Sequence, residues 1–545
     1  MAGAQGFVQE PGRPQCPRGR APGGPPATKG PGSRASGVRP PVRANRGTPP
    51  RYRGAKATKR SGKGNGESEC FNITDKAGEP TRGTPRREEE HRGTEPLEGK
   101  TTKTPISDTV STKLQRIARL AREAPQRAFL SLAHYIDVEF LHEAFRRTRK
   151  DGAPGVDGQT GKEYEERLEE NLRLLLDRFK SGTYQAPPVR RTYVPKDDGR
   201  QRPIGIPTFE DKILQRAVTM VLEAVYEQDF LSCSHGYRPG RSAHTALCEL
   251  RQELMEMGGG WVLEVDIKAF FDSLSHSQLR TILDQRVRDG VLRRSIDKWL
   301  AAGVMEGTQL SHPDAGTPQG GVVSPMLANV YLHDALDKWF ERDAKPRLRG
   351  RARMVRFADD LVMVFTNEKD ACRVLDVLPK RLGKYGLTLH PTKTRLLYFR
   401  PPSAGGDQIR DTGKQSFDFL GFTHHWARSR RGLWVVMRKT AGGRFGRALK
   451  RASEWLRSVR HQPLAQQHEQ LVRKLRGHNN YYGLPGNFEA LSRFRYEVGR
   501  LWRKWLDRRS DKACMTWERF NRILKRYPLP SHVVRYRLVP RAANP

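Results

Sequence analysis

Apolar residues in this chain recur at helical spacing in some stretches and at strand spacing in others. From Thr112 onward Leu114, Ile117, Ala118 and Leu120, and later Leu168, Leu172, Leu175 and Phe179, sit at helix-like intervals, which predicts helices with these side chains in a core. PVRRTYVPKDDGRQRPIGIP, 188–207, predicts a β-hairpin with Asp197-Asp198-Gly199 at its turn. From Phe209 the stripe Ile213, Leu214, Ala217, Val218, Val221, Leu222 and Val225 predicts a scaffold helix. Past about residue 430 the pattern is helical again. Phe445, Ala448, Leu449, Ala452, Trp455, Leu456 and Val459 form one face there, while Arg444, Arg447, Lys450, Arg451, Arg457 and Arg460 crowd the other.

Two strand-like stretches carry candidate chemistry. In MVRFADDLVMVF, 354–365, apolar runs flank Ala358-Asp359-Asp360, which predicts a hairpin with two carboxylates at its tip. Adjacent carboxylates repel, and Mg²⁺ is the hard, oxygen-seeking cation that offsets such a pair. Alone, the tetrad also fits an ordinary Asp-rich turn. In WVLEVDIKAFFDSL, Trp261, Leu263 and Val265 alternate with Val262, Glu264 and Asp266 before a helix expected from about Ser273, so Asp266 is presented at a strand end. Two-metal phosphoryl transfer needs carboxylates from separate segments, because ions about 4 Å apart must hold the attacking and leaving oxygens. Between the two lies GTPQGGVVSPMLANVYLHDALDKWF, 316–340, a Gly/Pro-rich loop leading into a helix near Ser324-Pro325. Glycines let the backbone approach a nucleotide closely, although a plain loop-to-helix junction reads the same way.

Composition adds a partner class. Lysine and arginine outnumber aspartate and glutamate by 99 to 60, for a formal net charge of +39 and a pI of about 10.4, which favours nucleic acid. Charge alone also fits a ribosome-associated protein or a merely basic tail. Six scattered cysteines form no C-x-x-C pair, which fits a reducing compartment. There is no run of about 18 apolar residues and no signal-peptide pattern, so the expectation is a cytoplasmic protein without a membrane partner. Residues 1 to about 105, rich in Gly, Pro, Arg, Lys, Ser and Thr, are expected to be disordered. They read equally as a basic RNA-capturing arm or as an upstream extension without a role.

The order RPIGIP, VDIKAFFD, GTPQGGVVSPMLAN, FADD, GLTLHPTKT, FDFLGF resembles the motif series of reverse transcriptases, especially bacterial group II intron-encoded proteins, across roughly residues 140–540. The resemblance implies an α+β right-hand polymerase fold: N-terminal extension and fingers at 106–258, palm with an antiparallel sheet at 259–428, helical thumb or maturase region at 429–497 and a basic DNA-contact region at 498–545. It makes Asp266, Asp359 and Asp360 the catalytic carboxylates, with Asp266 and Asp359 ligating two Mg²⁺ ions beside Asp360. It places Lys196 and Arg202 on the incoming triphosphate, a role apt for cations. It makes Phe271 the bulky residue that excludes a ribose 2′-hydroxyl, puts Gln319 and Lys393 near the nucleotide and makes Leu420-Gly421 a primer-gripping turn. Phe357 stands where many reverse transcriptases have Tyr, keeping the ring and losing a hydroxyl. The Cys-pair, His and Asn pattern of an HNH endonuclease is absent, so second-strand cleavage is not expected.

LVRKLRGHNNYYGL, 471–484, resembles the maturase signature, and implies RNA contacts from Arg473, Lys474, Arg476, Tyr481 and Tyr482. Aromatics among cations can stack on bases while the charges meet phosphates. Locally the segment also reads as a helix ending at Gly477 with both tyrosines in the core. The implied function is RNA-directed DNA synthesis together with assistance to intron splicing and retrohoming, with group II intron RNA, a DNA target and primer, and dNTPs as partners. A retron, diversity-generating or CRISPR-associated reverse transcriptase shares most of the series but not the maturase-like segment. A non-catalytic RNA-binding splicing factor need not keep all three carboxylates.

Overall fold

The computed structural model describes residues 109–195, 201–307, 309–311, 316–317, 320–402, 416–510 and 514–531. The segment 1–105, the hairpin turn with Asp197, Asp198 and Gly199, and residues Lys196 and Gln319 lie outside them.

The described chain opens with α1 (Val110–Glu123), α2 (Val138–Arg147), α3 (Gly161–Glu165) and α4 (Leu168–Ser181). Their starts are set by side-chain caps: Thr109 accepts from the Thr112 amide, Asp137 from that of Phe140, and Thr160 and Glu163 form a capping box. The buried stripe of α1 is Val110, Ile117 and Ala121 with Leu114 partly buried, whereas Leu120 is exposed, contrary to the sequence expectation. Leu120 lies about a quarter-turn from that stripe, and the 3.6-residue period admits only one face to the core.

A hairpin of β1 (Val189–Pro195) and β2 (Gln201–Ile206) follows, paired antiparallel from Arg190 opposite Ile206 to Pro195 opposite Gln201. α5 (Phe209–Tyr226) is the central strut, and all seven of its predicted apolar positions are buried. Three polar residues, Asp211, Gln215 and Thr219, are buried with them. Asp211 accepts hydrogen bonds from Trp299 Nε1 (2.7 Å), Gln215 Nε2 (2.9 Å) and the Tyr184 hydroxyl. Burial nevertheless pushes its carboxyl up to about 6. Because the folded state holds this proton more tightly than the unfolded chain, the carboxyl's contribution to stability is fullest below about pH 4. It declines as pH rises through about 6, a difference of about 3 kcal/mol. Urea unfolding should show native stability falling relative to that of Asp211→Asn by up to this amount between about pH 4.5 and 7. A difference independent of pH would refute the buried ionisation.

Next come α6 (Ala243–Glu256), β3 (Gly260–Val265), α7 (Phe270–Ser273), α8 (His276–Asp284) and α9 (Gly290–Ala301). β4 (Val304–Glu306) pairs parallel to β1 and antiparallel to β5 (Gln309–Ser311), giving the order β2-β1-β4-β5. α10 (Ser324–Leu332) starts where the Ser-Pro pair predicts and runs on through wide π-type turns at His333–Asp337 and Trp339–Ala344.

The central sheet joins β3 to β6 (Ala352–Phe357), β7 (Asp360–Phe365) and β8 (Arg395–Phe399) in the order β6-β7-β3-β8, with every pair antiparallel. Leu263, Val265, Leu361, Met363 and Phe365 face the large core with α5, α10 and α11 (Glu368–Gly383). Val262, Val355, Val362 and Val364 face a second core with α6 and Phe399. Burial on both faces is why LVMVF reads as an unbroken apolar run. A third sheet, β9 (Phe417–Phe419), β10 (Phe422–Arg428) and β11 (Trp434–Thr440), covers that second core.

The chain then becomes helical: α12 (Gly442–Ser458), α13 (Leu464–Tyr482), α14 (Phe488–Asp507) and α15 (Trp517–Arg526) enclose a core of Leu456, Leu471, Leu475, Phe494, Val498, Trp502 and Phe520. Helices and antiparallel sheets in separate stretches make the fold α+β. Among the described residues no helix is long and apolar enough to cross a membrane.

Candidate active site

Strand register brings the carboxylates together. Val265 of β3 lies opposite Leu361 of β7, so the next position in the ladder sets Asp266 beside Asp360. On the other side of β7, Phe357 pairs with Asp360 and leaves Ala358-Asp359 as the turn. Ala358 has φ +56°, a left-handed conformation that costs a non-glycine residue free energy and persists only where its surroundings fix it. Here the Arg356 guanidinium donates to the Ala358 carbonyl at 3.0 Å. Gly236 packs against the Ala358 amide so closely that a Cβ on Gly236 would lie 2.4 Å from that nitrogen.

The three acids occupy unlike environments. Asp266 accepts from Lys393 Nζ at 2.9 Å, and its backbone is tied to the loop before β8 by the His390 amide, which donates to the Asp266 carbonyl at 2.8 Å. Burial raises the Asp359 carboxyl above its ordinary range and repulsion from Asp266 adds to this, against the pull of Arg202 and Arg356. Asp360 is open to solvent on one side, yet loss of water around its carboxyl, then Asp359, then Asp266 push it up to about 6, with Arg444 and Lys393 opposing. A cleft of about 350 Å³ opens on this point, lined by Glu264, Asp266, Asp360, Thr392, Lys393 and Arg395 among others. Among the described residues no three His, Cys, Asp or Glu side chains close into a ready-made metal cage. Mutually repelling acids beside an open cleft instead fit a hard divalent cation that completes its shell with water and phosphate oxygens.

The loop before α10 is anchored to α5 and β2. Gln215 Oε1 accepts from the amides of Val322 (2.7 Å) and Val323 (3.2 Å), which links the loop to the buried Asp211 network. Gly320, at φ +116°, crosses β2 so closely that a Cβ would sit 2.4 Å from the Gly205 carbonyl. Phe271 lies in α7, which begins at Phe270, three residues before the helix onset expected near Ser273; its ring packs half-buried on the large core and its carbonyl accepts from the Thr317 amide at 2.8 Å. Arg202 lies on β2 and its charge reaches Asp359.

The structure therefore brings Asp266, Asp359, Asp360 and Lys393 to one place, with Arg202 facing it. The residues of the maturase-like segment lie on α13, which continues through Gly477 to Tyr482 rather than ending at the glycine. Arg473, Lys474 and Arg476 are exposed, Arg473 paired with Glu469 and Lys474 lying over the Trp455 ring. Both tyrosines pack against Phe422, and the Tyr481 hydroxyl donates to the Leu420 carbonyl at 2.9 Å, bracing the Leu420-Gly421 turn. Sequence reading missed Arg356, Tyr237 and Gln215. Arg356 is an unremarkable strand position, and the other two carry no local pattern. Arg444 belongs to the basic face expected past residue 430, and its charge reaches Asp360 from α12.

Residues 194–424 match the reverse transcriptase (RNA-dependent DNA polymerase) family. The chain is also 34% identical to protein YkfC of Escherichia coli strain K12 over 327 residues, covering 53% of this chain and 84% of that protein. This chain belongs to the reverse transcriptase family. Within that family it is 36% identical to the group II intron-encoded protein LtrA of Lactococcus lactis subsp. cremoris over 244 residues, 43% of this chain. That match spans 40% of LtrA's length. It is 27% identical to the mitochondrial nuclear intron maturase 2 of Arabidopsis thaliana over 177 residues, a quarter of each chain. The reverse transcriptase match takes in β2, the central sheet and the Leu420-Gly421 turn, and so encloses all three acids.

Proposed function

We propose that this chain is an RNA-directed DNA polymerase of the group II intron-encoded kind, which also binds its intron RNA, assists splicing and copies that RNA into DNA during retrohoming. The observation that carries the reading is the ladder register that sets Asp266 against the Asp359-Asp360 turn within the reverse transcriptase match. In this reading 106–258 forms the fingers with their N-terminal extension, 259–428 the palm, 429–497 the thumb and maturase region and 498–545 a DNA-contact region, with 1–105 as a basic arm.

The reaction joins a primer 3′-hydroxyl to the α-phosphate of a dNTP and releases pyrophosphate. Asp266, Asp359 and Asp360 would hold two Mg²⁺ ions, which when bound supply charge neutralisation at the attacking and leaving oxygens. Lys196 and Arg202 bind the triphosphate, and Gln319 lines the nucleotide. Phe271 excludes the 2′-hydroxyl, while Lys393 orients Asp266 through the hydrogen bond it donates. No side chain serves as nucleophile; positioning and fixed charge carry the rate. Arg473, Lys474 and Arg476 meet RNA phosphates from the exposed side of α13, and Tyr481 and Tyr482 link that helix to the primer-side turn.

Primer extension on poly(rA)/oligo(dT) with Mg²⁺ and dTTP tests the reading. Incorporation by the native chain is expected. Intact RNA binding without incorporation would leave the non-catalytic splicing factor.

A further inference from the structure

Tyr237 carries two costs in the folded chain. Its ring is 55% exposed, and its backbone sits at φ +55°, a region that favours glycine. The segment that bears it is not slack. On its amino side the His235 amide donates to the Arg356 carbonyl and the Arg356 amide to the Cys233 carbonyl, both at 2.8 Å, while Asn329 Nδ2 donates to the Gly236 carbonyl at 2.7 Å. On its carboxyl side the buried Arg238 holds Glu227 through two nitrogens and donates to the carbonyls of Leu231 and Ser234. A clamped backbone thus holds an aromatic ring out into solvent.

The ring's position gives this exposure a direction. Its centroid lies 6.5 Å from that of Phe357, the residue entering the carboxylate turn, and its hydroxyl feels the charges of Asp359, Asp360 and Arg202. A ligand atom bonded to whatever those acids hold lies next to this ring. Under the polymerase reading, that is the last nucleotide of the primer paired to its template.

We propose that Tyr237, with Phe357 behind it, forms a rigid aromatic ledge that contacts the primer-terminal base pair and so seats the 3′-end at the carboxylates. The inference rests on the polymerase reading. A flat ring suits any base, since every base offers a face on which an aromatic ring can lie irrespective of sequence. The left-handed backbone is the strain that aims the ring, and a fixed ring loses little freedom when substrate arrives.

Steady-state primer extension with varied primer–template and saturating dTTP tests it, using native chain, Tyr237→Phe, Tyr237→Ala and Tyr237→Asn. Asn suits a left-handed backbone and so preserves the loop. The expected result is a KM for primer–template raised about tenfold in the Ala and Asn variants, kcat changed less than KM, native melting temperature, and near-native behaviour of the Phe variant. Native KM in both the Ala and Asn variants overturns the inference and leaves the polymerase reading standing. So does a lowered melting temperature with reduced kcat at unchanged KM, which makes the ring a mere support for Phe357. A native chain that extends no primer overturns the polymerase reading, and the inference with it.

Discussion

Asp359→Asn is expected to reduce primer extension by about 10³-fold or more, while the metal-free variant melts no lower than the native protein. Under the proposed function, the activity loss follows from removing one of the carboxylates that would hold the cations, whose neutralisation of developing charge is a matter of several kcal/mol. The stability expectation follows from the unfavourable place the native charge occupies. Burial and the neighbouring Asp266 raise the Asp359 carboxyl, and Asp360 is raised in turn by its own loss of water and by Asp359. Asparagine keeps the shape and removes a repelling charge, so folding alone prefers it. Activity measured beside thermal melting in EDTA separates the two effects. A variant that loses activity and melts many degrees lower would make Asp359 part of the scaffold instead.

The largest stability effect is expected at Arg356, two residues before the turn. The guanidinium is fully buried and donates to Asp337 Oδ1 (2.8 Å) and Oδ2 (2.5 Å), Asn329 Oδ1 (3.0 Å), Ser234 Oγ (2.8 Å) and the Ala358 carbonyl. Asp337 is equally buried; burial alone would raise its carboxyl, and Arg356, with His333 adding to it, more than offsets that and holds it below the usual range. Arg356→Met leaves this acid uncompensated, at a cost of about 3–5 kcal/mol and a melting temperature lower by about 10 °C. Pairing it with Asp337→Leu removes both charges and should restore most of the loss, because a buried ion pair replaced by apolar side chains is often neutral. The double variant should nonetheless extend primers poorly, since nothing then donates to the Ala358 carbonyl. Full activity in a refolded double variant would show that the turn needs no such anchor.

These effects divide along the line between local and distant information. The strands around Asp266 and Asp359-Asp360 were legible because burial on both faces writes an apolar run into the sequence, and the adjacent acids interrupt it abruptly. That Asp266 lies against Asp360 was not legible from either strand, because their pairing joins segments about a hundred residues apart. Arg356 has the composition of a surface residue, and only Asp337, delivered inward by the π-type turn after α10, makes its burial possible. Leu120 shows the opposite error: an apolar side chain near helical spacing still falls off the stripe when the core meets only one face. Tyr481 and Tyr482 were read as RNA ligands or core residues, and their position bracing the Leu420-Gly421 turn depends on α13 running through Gly477, which propensity alone disfavours.

Arg356 also ties the acidic turn to distant parts of the chain. Its partners come from the segment of Ser234, 122 positions away along the chain, from the helical run that carries Asn329 and Asp337, and from its own turn. A guanidinium is costly to bury unpaired, so the native burial of Arg356 depends on Ser234, Asn329 and Asp337 together. The acidic turn downstream therefore owes its anchor to a contact 122 positions away as much as to its immediate neighbours.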